Sequence, residues 1–148
     1  MGLIVNTSAE EWYGSMPRPA GIYRLIDKTM NDHSLQERTW AVIALGESRD
    51  PRAVHPLIDC CRDKHEELRW HAIGALEMIR SGRGVDVLIE KLRDTGEPER
   101  IRARAATALA AIGSLSAIEG LKVTLEAEAE GSALRAVIRR LLARKPAD

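Results

Sequence analysis

The chain has 148 residues, enough for one domain with a sizeable core but not for two domains of ordinary size. Its 22 basic and 22 acidic side chains cancel, so no net charge draws it toward nucleic acid or an anionic membrane. Charged residues make up 30% and hydrophobic residues 45% of the sequence, which excludes disorder, and no apolar run approaches the roughly 20 residues of a membrane span. Only 3% of the residues are aromatic and Phe is absent, so the core is predicted to be aliphatic.

The N-terminal residues 1–19 form a segment with a composition of its own. Ser8 followed three residues later by Glu11 is a capping box, which predicts a short helix carrying Trp12 and Tyr13. The aromatic pair has two interpretations: it covers an open apolar end of the helices that follow, or it docks a partner. We favour the cap, because the end units of a repeat array need cover. The predicted organisation is a capping segment at 1–19 and one repeat domain at 20–148.

Residues 38–45, 69–76 and 102–109 are three copies of one short pattern. Each copy begins with Arg, has Ala three and six residues later, and ends in Leu. A second apolar cluster follows each copy, and its spacings of three and four residues mark one face of a helix. Each repeat is therefore predicted to contain a first helix, which begins near the Arg, and a second helix after a turn. The second clusters are Val54/Leu57/Ile58/Cys61, Val85/Leu88/Ile89/Leu92 and Ile118/Leu121/Leu125.

Breaker residues separate the paired helices, and partial repeats flank the full ones. Asp50 is expected to be the N-cap of its second helix, with Pro51 in the first turn. Residues 22–26 match only a second helix, and residues 134–142 match only a first helix. The predicted turns are Asp50–Pro51, Ser81–Gly84 and Gly113–Ser114.

The stretch from Ala41 to Ile58 resembles the short bacterial and archaeal HEAT-like repeat that also occurs in phycobilisome lyases. The resemblance is strongest in this first repeat and covers roughly residues 20 to 142. It implies an all-α fold, a right-handed α–α superhelix (solenoid) of about three full helix pairs with terminal half-repeats. In that family the second helices line a concave face that binds other proteins.

A recurring arginine and a linker aspartate resemble the Asp–Arg ladder of HEAT arrays, in which linker carboxylates and arginines bridge successive units. We interpret these residues as structural, since an Arg side chain holds a carboxylate or loop carbonyls with a planar fork. The arginines are Arg38, Arg69, Arg102 and Arg135, and the aspartates are Asp32, Asp63 and Asp94.

Metal binding is not predicted. Some oxygenases that resemble this architecture hold two irons through His-Glu pairs just after the repeat's Arg. The corresponding pairs are Thr39-Trp40, Trp70-His71 and Ala103-Arg104, none of which is His-Glu. The His65-Glu66 pair lies in a linker and cannot supply the three or four ligands that a metal needs. No phosphate loop or other cofactor motif is present either, so the sequence predicts no cofactor.

The two cysteines, Cys60 and Cys61, are adjacent and form no secreted-type disulfide framework, so we expect a reducing cytoplasm. Cys61 falls on the apolar face of its helix. Cys60 is equivalent to Lys91 and Thr124 and is therefore expected to be partly exposed. Neither position predicts an activated thiolate.

The candidate binding surface is the outward side of the second helices. Asp27, Asp59 and Glu90 occupy equivalent offsets there and are expected to form an acidic row on the concave face. Arg62 and Arg93 follow three residues after Asp59 and Glu90, at the spacing of i,i+3 ion pairs. The alternative is an ordinary solvated face. If the row is functional, it suits a basic or mixed-charge segment of a partner protein.

Such a fold is compatible with three functions. The first, which we favour, is a non-enzymatic protein interaction module or scaffold, with a homodimer through its exposed ends also open. The second is an accessory subunit of a lyase-like enzyme. The third is a nucleic-acid binder that uses a basic C-terminal helix with Arg135, Arg139 and Arg140 on one side. Zero net charge and the lack of interleaved aromatics argue against the third.

Leu76 offers a test of the predicted buried register. Leu76→Ala is expected to lower the free energy of unfolding by about 2–5 kcal/mol, because it leaves a cavity between closely packed helices. Urea denaturation would measure the loss. A loss of less than about 1 kcal/mol would show that the register is wrong.

Overall fold

The computed structural model describes residues 21–144, and within them the regular structure is helical. The helices are α1 (Gly21–Asn31), α2 (Leu35–Ser48), α3 (Val54–Cys60), α4 (Glu66–Ile79), α5 (Val85–Arg93), α6 (Glu99–Ile112), α7 (Leu115–Ala127) and α8 (Ala133–Ala143). The single turns Pro51–Ala53 and Gly82–Gly84 of 3-10 helix lead into α3 and α5. The predicted all-α fold of helix-pair repeats is confirmed, while the predicted capping segment lies outside the described residues.

The chain divides between Ile79 and Arg80 into two compact units. In the N-terminal unit α2 packs on α4 and α1 on α3, so first helices stack on first helices and second on second. In the C-terminal unit α6 packs on α8 and α5 on α7 in the same way. None of the helices described in either unit is long and apolar enough to cross a membrane.

The predicted turns begin the second helices as expected. Asp50 is an N-cap whose Oδ1 accepts the backbone N–H of Arg52 at 2.9 Å, ahead of the 3-10 turn that starts at Pro51. Ser81 and Ser114 cap the next two second helices in the same manner. Gly113 ends α6 in the left-handed conformation, at φ 67°, which an unbranched glycine adopts without strain.

The core is aliphatic, as the absence of Phe requires. The repeated alanines are buried in every copy, with at most 3% of their surface exposed, and Leu76 is 1% exposed, in agreement with the predicted register. Burying such side chains is the main favourable term in folding. The largest fully buried side chains are Leu25, Leu45, Leu57, Leu68, Ile73, Leu76, Leu88, Leu92, Ile101, Leu109, Leu121 and Leu134.

Arg38 bonds three segments of the N-terminal unit together. Its Nε donates to the carbonyl oxygen of Thr29 near the end of α1 at 2.9 Å, and its Nη2 lies 2.6 Å from Oδ1 of Asp63 in the linker before α4. The other oxygen of Asp63 accepts the backbone N–H of His65 and contacts Nδ1 of its ring, both at 2.9 Å. Arg69 donates to the carbonyl oxygens of Asp63 and Lys64 at 3.1 Å. The predicted structural role of these arginines is confirmed.

The C-terminal unit repeats this arrangement with a different acid. Arg102 donates to the carbonyl oxygen of Leu92 at 2.8 Å and pairs with the carboxylate of Glu128. Arg135 donates to the carbonyl oxygens of Leu125 and Glu128 at 2.7 Å. Glu128 therefore stands where Asp63 stands in the N-terminal unit, although the aspartate pattern did not predict it.

Two of the three linker aspartates do not bridge units, and the prediction for them was wrong. Oδ1 of Asp32 accepts the backbone N–H of Ser34, and Oδ1 of Asp94 accepts that of Gly96, both at 2.8 Å. Each carboxylate closes its own turn, two residues ahead, as Asx turns do. Only Asp63 combines such a turn with an arginine from the preceding first helix.

The α2–α4 contact depends on a glycine. A Cβ atom on Gly46 would lie 2.7 Å from Cα and 2.8 Å from Cβ of Ala75, closer than real carbon contacts allow. Backbone cannot give way as a flexible side chain can, so only glycine fits between these two helices.

Gly46→Ala is expected to lower the free energy of unfolding by about 1–3 kcal/mol, because the helices must separate to admit the methyl group. This outweighs the gain of up to about 1 kcal/mol that Ala brings to a helix interior. Gly82→Ala is the matched control, since nothing lies within 4 Å of its Cβ position. Urea denaturation of both variants is the measurement, and unchanged or increased stability of Gly46→Ala would contradict the close approach.

The carboxylate of Asp63 makes the stability of the fold depend on pH in the acid range. Burial raises the pKa of Asp63, but hydrogen bonds from the His65 backbone N–H, Arg38 and the His65 ring outweigh it and lower the pKa from 3.8 to about 2. The carboxylate therefore stabilises the fold above pH 3.8, and this contribution is lost as the pH falls toward 2. Asp63→Asn removes this contribution and is expected to lower the free energy of unfolding by roughly 2 kcal/mol at neutral pH. It is also expected to reduce the fall in stability between neutral and acid pH.

Urea midpoints measured from pH 7 to pH 2 would test this, with Asp32→Asn as the control. Asp32 also accepts a backbone N–H in its linker, but it bonds no repeat arginine. Equal acid slopes for the native chain and Asp63→Asn would show that Asp63 is not the titrating contact.

Candidate functional site

The five predicted partner-binding residues all lie on the surface. Asp27 is on α1, Asp59 on α3 and Arg62 just after its end, while Glu90 and Arg93 are on α5; all five are exposed. Oδ1 of Asp27 accepts a hydrogen bond from Nδ2 of Asn31 at 2.7 Å, within the same helix. The helices of Asp27 and Asp59 pack on one another in the N-terminal unit. The pairing of Asp59 with Arg62 and of Glu90 with Arg93 stays a prediction.

A surface pocket of about 460 Å³ lies on the other layer of the N-terminal unit. It is formed by the first two turns of α2 and the first turn of α4, whose side chains are brought together by the close α2–α4 packing. Its volume falls within the roughly 300–1,000 Å³ typical of ligand sites. We call it the α2–α4 pocket; its lining residues are Leu35, Gln36, Thr39, Trp40 and Glu67.

The polar groups of the α2–α4 pocket differ in how the fold uses them. Thr39 is buried and its hydroxyl donates to the carbonyl oxygen of Leu35 at 2.8 Å, so it serves α2 itself. Gln36 and Glu67 are exposed, and Trp40 is half-buried. Gln36 and Glu67 occupy equivalent offsets in successive first helices, 31 residues apart. The sequence pattern did not indicate this pocket, because its lining comes from two different helices and spacing along one helix does not fix a neighbour on another.

A di-iron site of the oxygenase type does not fit these residues. Thr39 and Trp40 occupy the first pair of positions that correspond to His-Glu, and both line the pocket. The indole of Trp40 cannot ligate a metal. At the second, the rings of Trp70 and His71 meet edge to face, with centroids 5.1 Å apart. Across residues 21–144, no group of three or more His, Cys, Asp or Glu side chains is placed to hold a metal ion.

The two thiols are both inside the protein, and the expected partial exposure of Cys60 was wrong. Cys60 is 4% exposed, and burial raises the pKa of its thiol to about 11. The equivalent residues, Lys91 and Thr124, are also buried. A lysine at this offset does not mark an exposed position here, because Nζ of Lys91 lies 3.2 Å from the carboxylate of Glu97, which neutralises it in the interior.

The C-terminal helix α8 has a smaller basic surface than its sequence indicated. Arg139 and Arg140 are exposed, but Arg135 turns back to the carbonyl groups of Leu125, near the end of α7, and Glu128, in the linker that follows. Leu134 and Ile138 are buried on the opposite side. Placing Arg135 on the solvent side with the other two was therefore wrong, because its guanidinium is used by the fold.

Together, the stacked helix pairs and their bridging arginines define an all-α protein of the helical-repeat class. A family model for HEAT repeats matches residues 22–110, more than half of the chain, and the chain belongs to this family. A model for the PBS lyase HEAT-like repeat matches residues 101–126. The resemblance found in the sequence is confirmed by both. Among curated proteins, no sequence matches the chain.

A solved structure of human deoxyhypusine hydroxylase in complex with glycerol is similar in fold. It superimposes with a TM-score of 0.73 at 20% sequence identity, over 86% of this chain and 44% of that one. At this identity the likeness concerns the fold alone, since one fold serves many functions. The chain spans less than half of the hydroxylase's length.

Proposed function

We propose that this chain is a non-enzymatic protein interaction module, a small scaffold that binds a partner protein through the outward face of its second helices. The observation that carries the proposal is that some charged residues are bonded within the repeats while others are exposed to solvent. Arg38, Arg102 and Asp63 are used inside the repeats, whereas the five candidate binding residues are exposed. Exposed charges set partner choice and association rate more than they set stability.

The matching partner has a basic or mixed-charge segment. Asp27, Asp59 and Glu90 supply three negative charges at equivalent offsets of the second helices, and Arg62 and Arg93 supply two positive charges beside them. The family resemblance supports the choice of the second helices as the face that a helix or tail of a partner contacts. A cytoplasmic location, in keeping with two buried cysteines that form no disulfide, is part of the same proposal.

The second candidate is an accessory subunit of a lyase-like enzyme. The match of residues 101–126 to the PBS lyase HEAT-like repeat favours it. A chromophore that copurifies with the chain, detected by its visible absorbance, would support this candidate over the first.

The proposed surface is tested by reversing its charge. In the variant with Asp27, Asp59 and Glu90 all changed to Lys, capture from the native host lysate is expected to lose the dominant protein that the unchanged chain retains, because the acidic row then repels a basic segment. Mass spectrometry identifies the captured protein. The matched control changes Asp86, Glu119 and Glu126 to Lys; these residues are also exposed on second helices, at other offsets.

Retention of the same partner by the first variant would remove the binding site from the acidic row. Equal losses in both variants would show a response to net charge instead of to this surface. Circular dichroism of both variants checks that the helices remain folded.

A further inference from the structure

The outward face of α1 carries two large apolar side chains that the fold does not bury. Tyr23 is 62% exposed and Met30 is 59% exposed, and Asp27 lies between them at spacings of four and three residues. At these spacings the three side chains project from one side of the helix. The outward face of α1 therefore presents an aromatic ring, a carboxylate and a thioether along about two helical turns.

Packing of the repeats does not require these two apolar residues. The other three second helices have exposed polar or charged side chains at both offsets, so each offset faces solvent in every repeat. The residues equivalent to Tyr23 are His55, Asp86 and Glu119, and those equivalent to Met30 are Arg62, Arg93 and Glu126. Aromatic and methionine side chains are enriched at protein interfaces relative to the rest of a surface. At these offsets α1 therefore has the composition of a contact surface, and the other second helices do not.

The ring of Tyr23 is held in place by Arg52, in the turn that leads into α3. The guanidinium carbon of Arg52 lies 5.1 Å from the ring centroid, and its Nη1 donates to the Tyr23 hydroxyl at 3.3 Å. Nη2 and Nε of the same guanidinium donate to Oδ2 and Oδ1 of Asp50, at 2.6 Å and 3.0 Å. Because these contacts fix the ring before a partner arrives, binding costs less side-chain entropy than it would with an unrestrained tyrosine.

We infer that α1 docks an amphipathic helix of a partner protein, an inference that rests on the proposed binding function. Apolar side chains of that helix, two turns apart, contact Tyr23 and Met30, and a basic side chain between them pairs with Asp27. Asp27 and Asp59 lie on two helices that pack on one another, and their negative charge favours a basic residue of the partner. Oδ1 of Asp27 accepts a hydrogen bond from Asn31, and a carboxylate has further acceptor capacity for a basic group.

The test is a peptide selection on the full chain, which needs no natural partner. The probe is a displayed library of alanine-rich peptides of about 16 residues, long enough to form a helix, randomised at i, i+3, i+4 and i+7 of one face. The enriched peptides are expected to have apolar residues at i and i+7 and Arg or Lys at i+3 or i+4. The inference is overturned if no peptide is enriched. It is also overturned if Asp or Glu is enriched at the central positions, a result that the exposed Arg24 of α1 would favour.

The most enriched peptide is then labelled with fluorescein, and its dissociation constant for each variant is measured by fluorescence anisotropy. Tyr23→Ala and Met30→Ala are each expected to weaken binding by about tenfold, the effect of losing an anchoring contact. Asp27→Asn is expected to weaken it by about two- to fivefold, the range of an exposed ion pair. Met78→Ala is the matched control, because Met78 is a methionine 38% exposed on α4, a first helix. Its effect is expected to stay within about twofold.

Equal effects of Met30→Ala and Met78→Ala would overturn the inference, and two further results would assign α1 to another occupant. Tighter peptide binding by Trp12→Ala would show that the N-terminal segment of the chain itself covers this face. A dimer in sedimentation velocity that Tyr23→Ala dissociates would assign the face to a second copy of the chain. Failure of the selection contradicts only the docking site on α1, whereas retention of the captured partner by the charge-reversed variant contradicts the proposed surface on the second helices.

Discussion

The guanidinium groups of Arg38 and Arg102 each tie together three segments that are distant along the chain. Each spans from the carbonyl end of one second helix to the linker that precedes the next first helix. These carbonyl groups lie at helix ends and accept no hydrogen bond within the helix. An arginine that donates to them supplies the missing bond, and every helical repeat has such a helix end. Because the cation sits between carbonyl dipoles and a carboxylate, its partial burial is compensated.

Close packing of small side chains is the second constraint. Without Phe, the core has few large side chains to fill wide gaps, and the first helices approach closely through buried alanines and Gly46. In the C-terminal unit a Cβ on Gly120 would lie 2.8 Å from two carbons of the Ile89 side chain, which a flexible side chain can relieve more easily than the backbone at Ala75. Of these two positions, the tighter is therefore Gly46 at the α2–α4 contact.

These two constraints act at the linkers and on the inward side of the helices. The ladder arginines bond to groups at the helix ends and in the linkers and the alanines point inward, whereas Asp59 and Glu67 are exposed. The two faces of the N-terminal unit differ in character: α1 and α3 display mixed charges, whereas α2 and α4 form a pocket with an indole and a carboxylate.

The sequence alone determined the helix pairs, their turns, the buried alanine and leucine register and the structural role of the repeat arginines, because each depends on local periodicity and on a 31- to 33-residue repeat. Only the tertiary structure decided which acid each arginine meets. Glu128 reaches Arg102 and Asp94 does not, since that choice depends on linker geometry. The structure also decided that Lys91 and Cys60 are buried and that Trp40 and Glu67 share a pocket. Such pairings form across helices, where spacing along one helix fixes a direction but not a neighbour.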